Sequence, residues 1–459
     1  MKAEQILKSI HDGNLLKGYQ QEIRAYLNKN PRSIVILDDD PTGTQTVQNI
    51  PVVTNWSEQT LENELLISPV FFVLTNSRAL QKQEAEDLAM TIGGRLKSLA
   101  AKHNKKLLVV SRGDSTLRGH YPYEPEILAR ALGHQKAMHA FIPAFFEGGR
   151  YTYEDVHYVR DVDTFIPAAQ TPFAKDNTFG YIHSNLREYV LEKYDGDMEP
   201  SDITSVALTT LRSGEIAQLS GQIVAGHRCL IVNATSYTDL EAFALAALKS
   251  DKNVMYRTAA SFVNAITGSR TAPLLEKKDF ENNNKMGGLI IIGSYVPKTT
   301  AQLNVLKARF DAAYLEIDVS SIFKASELQN SITNMANTID KFLQIGENVV
   351  LYTSRKLKRG KTTEESLAIV NRVSIAVTSI IKSIFTQPRF ILTKGGITSC
   401  DIAVKSLQIQ RAMVLGQLIK GVPVWQADEN SKFPSIPFVI FPGNVGSDED
   451  LNNALKKLE

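Results

Sequence analysis

The chain has 459 residues, a length at which a single hydrophobic core usually stops growing, so two domains are expected. Hydrophobic residues make up 43% and charged residues 22% of the chain, a composition typical of a globular enzyme. The 51 basic and 49 acidic residues leave a formal net charge of only +2, which argues against a nucleic-acid-binding surface built on bulk charge. A local basic pocket for a small anion remains compatible with this balance.

Cysteine usage and the N-terminal segment indicate a cytoplasmic protein. Cys229 and Cys400 lie far apart in sequence and predict neither a disulfide framework nor a metal-ligand cluster. Residues 1–32 lack the apolar stretch of a secretory signal, and no apolar run approaches the roughly 20 residues that span a bilayer. We therefore expect no membrane partner and predict that residues 1–32 form an amphipathic helical extension packed on the body of the protein.

Short, continuous apolar runs alternate with helical patterns from residue 33 onwards. Such runs are typical of buried parallel strands, and they occur at residues 33–38, 70–75, 106–111, 138–143 and 229–233. Helical patterns at residues 82–103 and 123–132 separate them. Between residues 151 and 201 this alternation weakens, which predicts a long insertion. The alternation itself predicts an α/β fold.

A second series of strand-like runs begins after residue 288, at residues 289–294, 314–318, 348–353, 389–393 and 437–441. The intervening stretch contains clustered charges, three consecutive Asn residues and a Gly pair, and is the best candidate for a linker. We predict two α/β domains with mostly parallel sheets, at residues 33–268 and 288–459, with an active site in the cleft between them.

The segments that follow the first four strands carry the candidate chemistry, because ligands of α/β sheets bind beyond the carboxyl ends of the strands. Three consecutive acids, Asp38, Asp39 and Asp40, end the first strand, and their mutual repulsion must be relieved by a proton, a metal or donor groups. A solvated turn with a local Asp cap is the simpler alternative. The next strand ends deliver Arg78, then residues 112–118, then Arg150. Arginines suit carboxylates and acids suit hydroxyls, so together they predict a pocket for a polyhydroxy acid.

Glycine-rich strand ends in the second domain predict a phosphate-binding site. Gly395-Gly396-Ile397-Thr398 lies between a strand and a helical stretch, and its backbone N–H groups are suited to hold phosphates. The segments 442–446 and 293–300 are similar. Neither of the usual nucleotide-binding fingerprints is present, and a Gly-Gly turn is often an ordinary tight connection. The histidines show no metal-ligand spacing.

A competing interpretation exists for the first loop. Four apolar residues followed by Asp38, Asp40 and Thr42 also resemble the first motif of haloacid-dehalogenase-like phosphatases, with Asp38 as nucleophile and Asp40 as acid/base. The downstream acidic pair that completes the Mg²⁺ site of those enzymes is missing. This alternative also leaves the second domain without a role.

Taken in order, the loops resemble the four-carbon acid sugar kinase family, which joins a sugar-acid-binding N-terminal domain to a nucleotide-binding C-terminal domain. The resemblance spans roughly residues 33–451 and rests on segments 39–43, 75–78, 113–118, 257–261, 293–294, 353–355, 395–398 and 442–446. The middle block, with segments 147–157 and 173–181, is typical of a longer subgroup. The N-terminal extension of about thirty residues departs from the family pattern.

This resemblance implies an ATP- and Mg²⁺-dependent transferase of carbohydrate metabolism that phosphorylates threonate, erythronate or their oxo derivatives. Its partners would be a small sugar acid and ATP. The sequence leaves the position of Mg²⁺ unknown and the oligomeric state open, with a homo-oligomer among the alternatives.

Phosphoryl transfer needs one carboxylate to orient the attacking hydroxyl or accept its proton. Asp40 is expected to act as this catalytic base, with Asp39 and Asp114, which also follow strands, as the other candidates. The resemblance implies the binding residues. The residues expected to contact the sugar acid are Asp40, Arg78, Arg112, Gly113, Asp114 and Ser115. Those expected to contact ATP are Ser261, Gly395, Gly396, Ile397, Thr398 and Gly443.

Overall fold

The computed structural model describes residues 2–134, 137–269, 273–281, 283–294, 296–319, 325–355, 363–443 and 445–459, without the side chains of residues 2, 325–328, 363–368 and 370. The chain divides into two compact units, Met1–Thr271 and Ala272–Glu459. This boundary falls within the predicted linker, of which residues 270–272 and 282 lie outside the described part.

Eleven strands are described in the first unit. In chain order they are β1 (Ser33–Asp38), β2 (Pro51–Val53), β3 (Val70–Leu74), β4 (Leu107–Arg112), β5 (Met138–Ile142), β6 (Arg150–Tyr153), β7 (Val156–Asp161), β8 (Thr164–Pro167), β9 (Ile203–Val206), β10 (Cys229–Val232) and β11 (Val254–Thr258). Eight of them form a parallel sheet in the order β2-β3-β1-β4-β11-β5-β10-β9. The predicted parallel α/β architecture is therefore confirmed.

The register of this sheet brings the carboxyl ends of its central strands level. Asp38 of β1 is paired with Arg112 of β4, and Arg112 is paired in turn with Thr258 of β11. Because side chains alternate along a strand, residues at matching register positions point to the same face of the sheet. Asp38 and Arg112 thus begin as neighbours on one face, whereas Arg257 of β11 is paired with Ser111 and starts on the other face.

Helices cover the strands of the first unit. Their bounds are α1 (Lys2–Asn14), α2 (Gln20–Lys29), α3 (Glu58–Ile67), α4 (Lys82–Lys102), α5 (Tyr123–Ala131), α6 (Leu186–Tyr194), α7 (Leu208–Leu211), α8 (Ile216–Ala225), α9 (Tyr237–Ser250) and α10 (Ala260–Thr267). The N-terminal extension forms two helices that dock on α9. Ser9 hydrogen-bonds Thr235 (2.9 Å), and the backbone N–H of Tyr19 donates to Glu241 (2.7 Å).

The block that was predicted as an insertion has its own strands. β6, β7 and β8 form an antiparallel sheet, and Thr152 of β6 exchanges two backbone hydrogen bonds with Ala234, just after β10. Helix α6 follows, and its Tyr189 is only 1% exposed. These strands have four to six residues and carry aromatic and charged side chains, so they show no continuous apolar run.

The second unit contains β12 (Leu289–Ile292), β13 (Ala313–Ile317), β14 (Val349–Thr353), β15 (Ile391–Lys394), β16 (Arg411–Ile419), β17 (Val422–Ala427) and β18 (Pro437–Phe441). Their order is β13-β14-β12-β15-β18-β17-β16, with β12, β13, β14, β15 and β18 parallel and the β16–β17 hairpin antiparallel. The helices are α11 (Pro297–Arg309), α12 (Ala325–Gln344), α13 (Thr363–Ser383), α14 (Gly396–Asp401) and α15 (Asp450–Leu458). None of the helices, over the residues described, is long and apolar enough to cross a membrane.

Candidate functional site

The three consecutive acids after β1 lie in different environments. The side chains of Asp38 and Asp39 are each 1% exposed, whereas that of Asp40 is 18% exposed. Asp40 caps a 3₁₀ turn at Pro41–Thr44 by accepting a hydrogen bond from the backbone N–H of Thr42. Of the three carboxyl groups, that of Asp40 is therefore the one a ligand can reach most easily.

Asp38 lies beneath this turn. Its Oδ1 accepts a hydrogen bond from Nη1 of Arg112 (3.2 Å), whereas its buried Oδ2 has no hydrogen-bond partner among the described residues. A Cβ placed on Gly43 would lie 1.8 Å from that Oδ2, so the turn covers the carboxyl group directly. Burial raises the pKa of Asp38 to about 7. Repulsion by Asp39 and Asp40 adds to this increase, whereas attraction by Arg112 opposes it.

Asp39 is neutralised by arginines from three elements. Nε and Nη2 of Arg78 donate to its two oxygens at 3.2 and 2.5 Å, and Nη atoms of Arg112 and Arg257 lie 3.7 and 3.8 Å away. A bidentate guanidinium–carboxylate pair is among the stronger contacts available to a buried carboxylate. The repulsion predicted for the acidic run is thus relieved largely by arginine.

Asp40 is held as a carboxylate. Its Oδ1 accepts hydrogen bonds from the backbone N–H (2.8 Å) and hydroxyl (2.6 Å) of Thr42, and its Oδ2 lies 3.5 Å from Nη1 of Arg78. Burial raises the pKa of Asp40, but Arg78, both Thr42 bonds and Arg112 outweigh it and leave the pKa below its ordinary value. Asp40 is therefore ionised at neutral pH, and its Oδ2 is the less fully engaged oxygen.

Arg257 and Glu124 complete this cluster, and our sequence analysis assigned no role to either. Arg257 is 4% exposed, donates to Ser111 (2.9 Å) and lies 3.7 Å from Glu124, which also accepts from Ser77 (3.2 Å). Burial, against Arg257, raises the pKa of Glu124 to about 7. Arg257 lies in one of the motifs that carry the family resemblance, whereas Glu124 lies in an ordinary helical pattern and gave no sequence signal.

The loop after β4 packs on the same arginine. A Cβ on Gly113 would lie 2.3 Å from Cζ of Arg257, so this position accommodates no side chain. Asp114 accepts from Nε of Arg118 (2.7 Å) and from the hydroxyl of Thr116. Although burial raises the pKa of Asp114, Arg118, Arg78 and these hydrogen bonds bring it far below the ordinary value. Asp114 is thus a firmly ionised and firmly paired carboxylate.

Three side chains from the 150–190 block bind the carbonyl groups of this loop. Nε2 of His157 lies 2.7 Å from the carbonyl oxygen of Ser115. The hydroxyl of Tyr181 donates to the carbonyl oxygen of Thr116 (2.8 Å), and that of Tyr189 donates to the carbonyl oxygen of Leu117 (2.7 Å). Leu117 itself has a positive φ of 69°. The block therefore fixes the backbone of the predicted substrate loop.

Ser261 lies in the first unit, at the start of α10, and is 0% exposed. Its hydroxyl accepts from the backbone N–H of Phe146 (3.0 Å) and donates to Glu147 (3.3 Å), which also accepts from Tyr237 (2.6 Å). In this arrangement Ser261 orders the segment after β5. A role for it in contacting ATP stays a prediction.

The glycine-rich strand ends of the second unit converge. A Cβ on Gly293, after β12, would lie 2.2 Å from Oγ1 of Thr398, and one on Gly443, after β18, would lie 3.3 Å from Oγ of Ser294. Gly395, after β15, has φ of 114°, a conformation that favours glycine. Ile397 is 55% exposed at the surface of this turn. Gly395, Thr398 and Gly443, all predicted from the sequence, therefore lie close to Gly293 and Ser294. Gly396 and Ile397 belong to the same turn. Asn444 lies outside the described residues.

A buried lysine links two of these turns. Lys394, the last residue of β15, is 0% exposed, and its Nζ donates to the carbonyl oxygens of Pro442 (2.5 Å) and Gly443 (3.3 Å). The ammonium group also lies 4.1 Å from the centre of the Phe441 ring. Burial, with a smaller contribution from Lys298, lowers the pKa of Lys394 to about 7.

Arg355 ties the end of β14 to the end of β12. Its guanidinium donates to the carbonyl oxygens of Thr353 (2.8 and 2.9 Å) and Ser294 (2.7 Å). Within the described residues, no group of three or more His, Cys, Asp or Glu side chains is arranged to hold a metal ion. The second unit thus presents backbone turns shaped by glycines rather than an acidic metal site.

Comparison with known proteins matches each unit to a family model. Residues 34–266 match the sugar-binding N-terminal domain, and residues 289–451 match the nucleotide-binding C-terminal domain. No curated protein matches the chain significantly.

Solved structures that share the fold include two bacterial proteins. One is a Haemophilus influenzae protein of the family model DUF1537 (16% identity, TM-score 0.61), and the other is a Salmonella typhimurium LT2 protein provisionally named a tRNA synthase (16% identity, TM-score 0.67). Each alignment covers 93% of this chain and 100% of the other.

None of these findings supports the phosphatase alternative, and the burial of Asp38 under Gly43 gives its proposed nucleophile little access to a substrate. The sugar-binding model precedes the nucleotide-binding model, in the order that the family resemblance implied. The chain therefore belongs to the four-carbon acid sugar kinase family, in which a sugar-binding N-terminal domain precedes a nucleotide-binding C-terminal domain.

Proposed function

We propose that this protein is an ATP-dependent kinase that phosphorylates a hydroxyl group of a short, four-carbon-like sugar acid such as threonate, erythronate or an oxo-tetronate. Family membership supports a sugar ligand on the first domain and a nucleotide on the second. The observation that carries the proposal is Asp40, an ionised and partly exposed carboxylate surrounded by arginines at the carboxyl edge of a parallel sheet.

Asp40 is suited to receive a sugar hydroxyl. Thr42 fixes Oδ1 through two hydrogen bonds, which leaves Oδ2 and its 3.5 Å contact with Arg78 on the exposed side. In phosphoryl transfer a carboxylate in this role orients the attacking hydroxyl and accepts its proton. Asp39 is fully engaged by arginines and is better suited to position Arg78 than to act on the substrate.

The acid group of the substrate needs a cation. Arg78 is 18% exposed, and Asp39 engages its Nε and Nη2. Nη1 has only the longer 3.5 Å contact with Asp40, so it is the nitrogen best placed to bind an incoming carboxylate. Because the hydrogen bonds with Asp39 already fix the guanidinium group of Arg78, this side chain loses little conformational entropy when a ligand binds. This assigns Arg78 to the carboxylate and Asp40 to a hydroxyl.

The nucleotide is assigned to the glycine turns of the second unit. Gly293, Gly395 and Gly443 lack a Cβ at three neighbouring strand ends, so a phosphate group can approach the backbone of these turns closely. The N–H of Gly395 itself donates to the carbonyl oxygen of Phe441 (2.8 Å), so the phosphate contacts are assigned to the other N–H groups of the turns. The described carboxylates form no group of three or more that could hold a metal ion, so we assign Mg²⁺ to the nucleotide as a MgATP substrate.

A coupled ATPase assay with a panel of C4 to C6 aldonates and their oxo forms tests the proposal. ADP release should depend on a particular sugar acid, and the product should be a phosphate ester. Absence of sugar-acid-dependent ADP release across the panel would refute a four-carbon acid kinase. Phosphate release from sugar phosphates without nucleotide would instead restore the phosphatase alternative.

Asp40→Asn tests the assigned base. The substitution keeps the shape of the side chain and should reduce kcat by about 10² or more while leaving ATP affinity nearly unchanged. Asp176→Asn is the matched control, because Asp176 lies 3.6 Å from Arg118 without contacting Asp40. Near-normal turnover in Asp40→Asn, with loss of turnover in Asp39→Asn or Asp114→Asn, would move the assignment to one of those residues.

A further inference from the structure

The first unit has a second concave surface, on the edge of the sheet opposite to Asp40. Its cavity, of about 400 Å³, lies at the amino-terminal ends of β4 and β11, where Leu107 and Val254 begin those strands. Cavities of roughly 300–1,000 Å³ are of the size that accommodates small-molecule ligands. None of the residues assigned to the sugar acid or to ATP lines this cavity.

The lining of this cavity is strongly basic. Five basic residues and a single acid, Asp251, contribute to it; the basic residues are Arg32, Lys97, Lys105, Lys106 and Lys252. The whole chain carries a net charge of only +2, so this is a local concentration of positive charge. A concave surface lined by one sign of charge focuses its potential and raises the local concentration of counter-ions.

Carboxylates do not neutralise this charge. Within the described ranges, no carboxylate oxygen forms an ion pair with Lys97, Lys105 or Lys106. Lys252 donates to the carbonyl oxygens of Ile223, Val224 and Gly226 at 2.8–3.2 Å, contacts that hold its position but leave its charge.

Two further side chains that line the cavity, Arg32 and His134, lie among positive charges. Nε of Arg32 is buried and has no hydrogen-bond partner in the described part of the chain, although its guanidinium lies 5.6 Å from the centre of the Tyr26 ring. His134, which also lines the cavity, has a pKa lowered first by burial and then by Lys97. A bound anion would offset the positive charge that Lys97 places beside His134.

We propose that this cavity binds a small molecule that carries two or more phosphate groups, at a site separate from both substrate sites. Lysine ammonium groups are compact charges that bind phosphate oxygens without a fixed bidentate geometry, so several of them suit a polyphosphate. The cavity's size favours a small molecule over a duplex or a membrane surface, which would need an extended basic face.

Inorganic tripolyphosphate is the probe that tests the site, by isothermal titration calorimetry on the full chain. Wild-type protein should bind it, and Lys97→Glu/Lys105→Glu/Lys106→Glu should weaken that binding roughly tenfold or more. All three lysines are exposed, so the triple variant should fold; the control Lys8→Glu/Lys29→Glu/Lys341→Glu makes the same charge change at other exposed lysines. Circular dichroism verifies that each variant is folded. If the Lys→Glu triple variant does not fold, the triple variant with Lys→Gln at the same three positions takes its place.

Gly396→Val separates this site from the proposed nucleotide turns. Tripolyphosphate binding that persists in Gly396→Val and in the control, but falls in the triple variant, supports the proposal. Equal affinity in the triple variant and the control overturns it, as does binding that disappears only in Gly396→Val. Much tighter binding of a short RNA through the same three lysines would also overturn the small-molecule assignment. These outcomes do not depend on kinase activity.

Discussion

The contact between Gly43 and Asp38 predicts a large and specific effect of a single methyl group. In Gly43→Ala the new Cβ would lie 1.8 Å from Oδ2 and 2.3 Å from Cγ of Asp38, whereas non-bonded atoms settle at roughly 3.5 Å. The carboxyl group would have to move by more than an ångström, away from its 3.2 Å hydrogen bond with Arg112. Overpacking and the loss of that bond should together lower the free energy of unfolding by about 3 kcal/mol.

A double-mutant cycle isolates this contact. Asp38→Ala removes the carboxyl group, and Asp39, 3.7 Å from Nη1 of Arg112, remains to pair with the arginine. Asp38→Ala should itself cost about 1–3 kcal/mol. In Gly43→Ala/Asp38→Ala the methyl group occupies the vacated space, so the double variant should be more stable than additivity predicts by at least about 1.5 kcal/mol.

Urea unfolding followed by tryptophan fluorescence can measure this effect in the first unit alone. Trp56 lies in that unit, where its Nε1 donates to the carbonyl oxygen of Leu74 (2.8 Å), and a Trp425→Phe background removes the only other tryptophan. Gly94→Ala is the matched control, because no atom lies within 4 Å of its added Cβ in helix α4, and it should be neutral or stabilising. The steric argument fails if Gly43→Ala behaves like Gly94→Ala, or if the cycle is additive.

Three further predictions concern buried ionisable groups. The pKa of Asp38 is about 7 in the folded state, above its unfolded value of 3.8. The contribution of Asp38 to the free energy of unfolding is therefore full below pH 3.8 and is lost as pH rises towards 7. Asp38→Asn should remove this pH dependence, by up to about 1.4 kcal/mol per pH unit, as measured by urea unfolding across this range. Burial lowers the pKa of both His139 and His157 to about 4. Their contribution to the free energy of unfolding is therefore full above pH 6.5 and is lost as pH falls towards 4. His157→Gln should reduce this loss of stability in urea titrations between pH 7 and 4.5, and an unchanged pH dependence would contradict the assignment. Lys394→Met keeps the bulk of the side chain but removes its hydrogen bonds to the carbonyl oxygens of Pro442 and Gly443. It should weaken the binding of an ATP analogue, measured by calorimetry, by about tenfold, and leave the KM for the sugar acid unchanged in steady-state kinetics. Equal loss of both would indicate a purely structural lysine.

The parallel strands were the most predictable part of the fold, because strands buried on both faces are continuous apolar runs. Residues 33–38 and 437–441 were predicted with the bounds that the structure has. β15 was predicted two residues early and without Lys394, because the burial of a lysine at the end of a strand depends on tertiary contacts. The hairpin β16–β17 and the sheet β6–β8 were not predicted, because their mixed polar and apolar residues are buried by tertiary contacts that a local pattern does not reveal.

The site was predictable to the extent that residues at strand ends define it. Asp40, Arg78 and Arg112 follow directly from the rule that parallel strands present their carboxyl ends at one edge. Glu124 and Glu147 did not, because a helix and a loop bring them to buried arginine and serine partners from over 100 residues away. Nor could the sequence show that Asp39 would be the fully neutralised acid and Asp40 the accessible one.

The three hydrogen bonds from His157, Tyr181 and Tyr189 to the carbonyl groups of Ser115, Thr116 and Leu117 have a consequence for how substrate preference can change. The donors belong to the 150–190 block, whereas the loop they hold follows a strand of the central sheet. A substitution in the block therefore alters the shape of the loop without altering any strand that supports it. Under the proposed function, these three positions are targets for directed evolution towards a new sugar acid, because substitutions there leave Asp40 and Arg78 at the edge of the sheet unchanged.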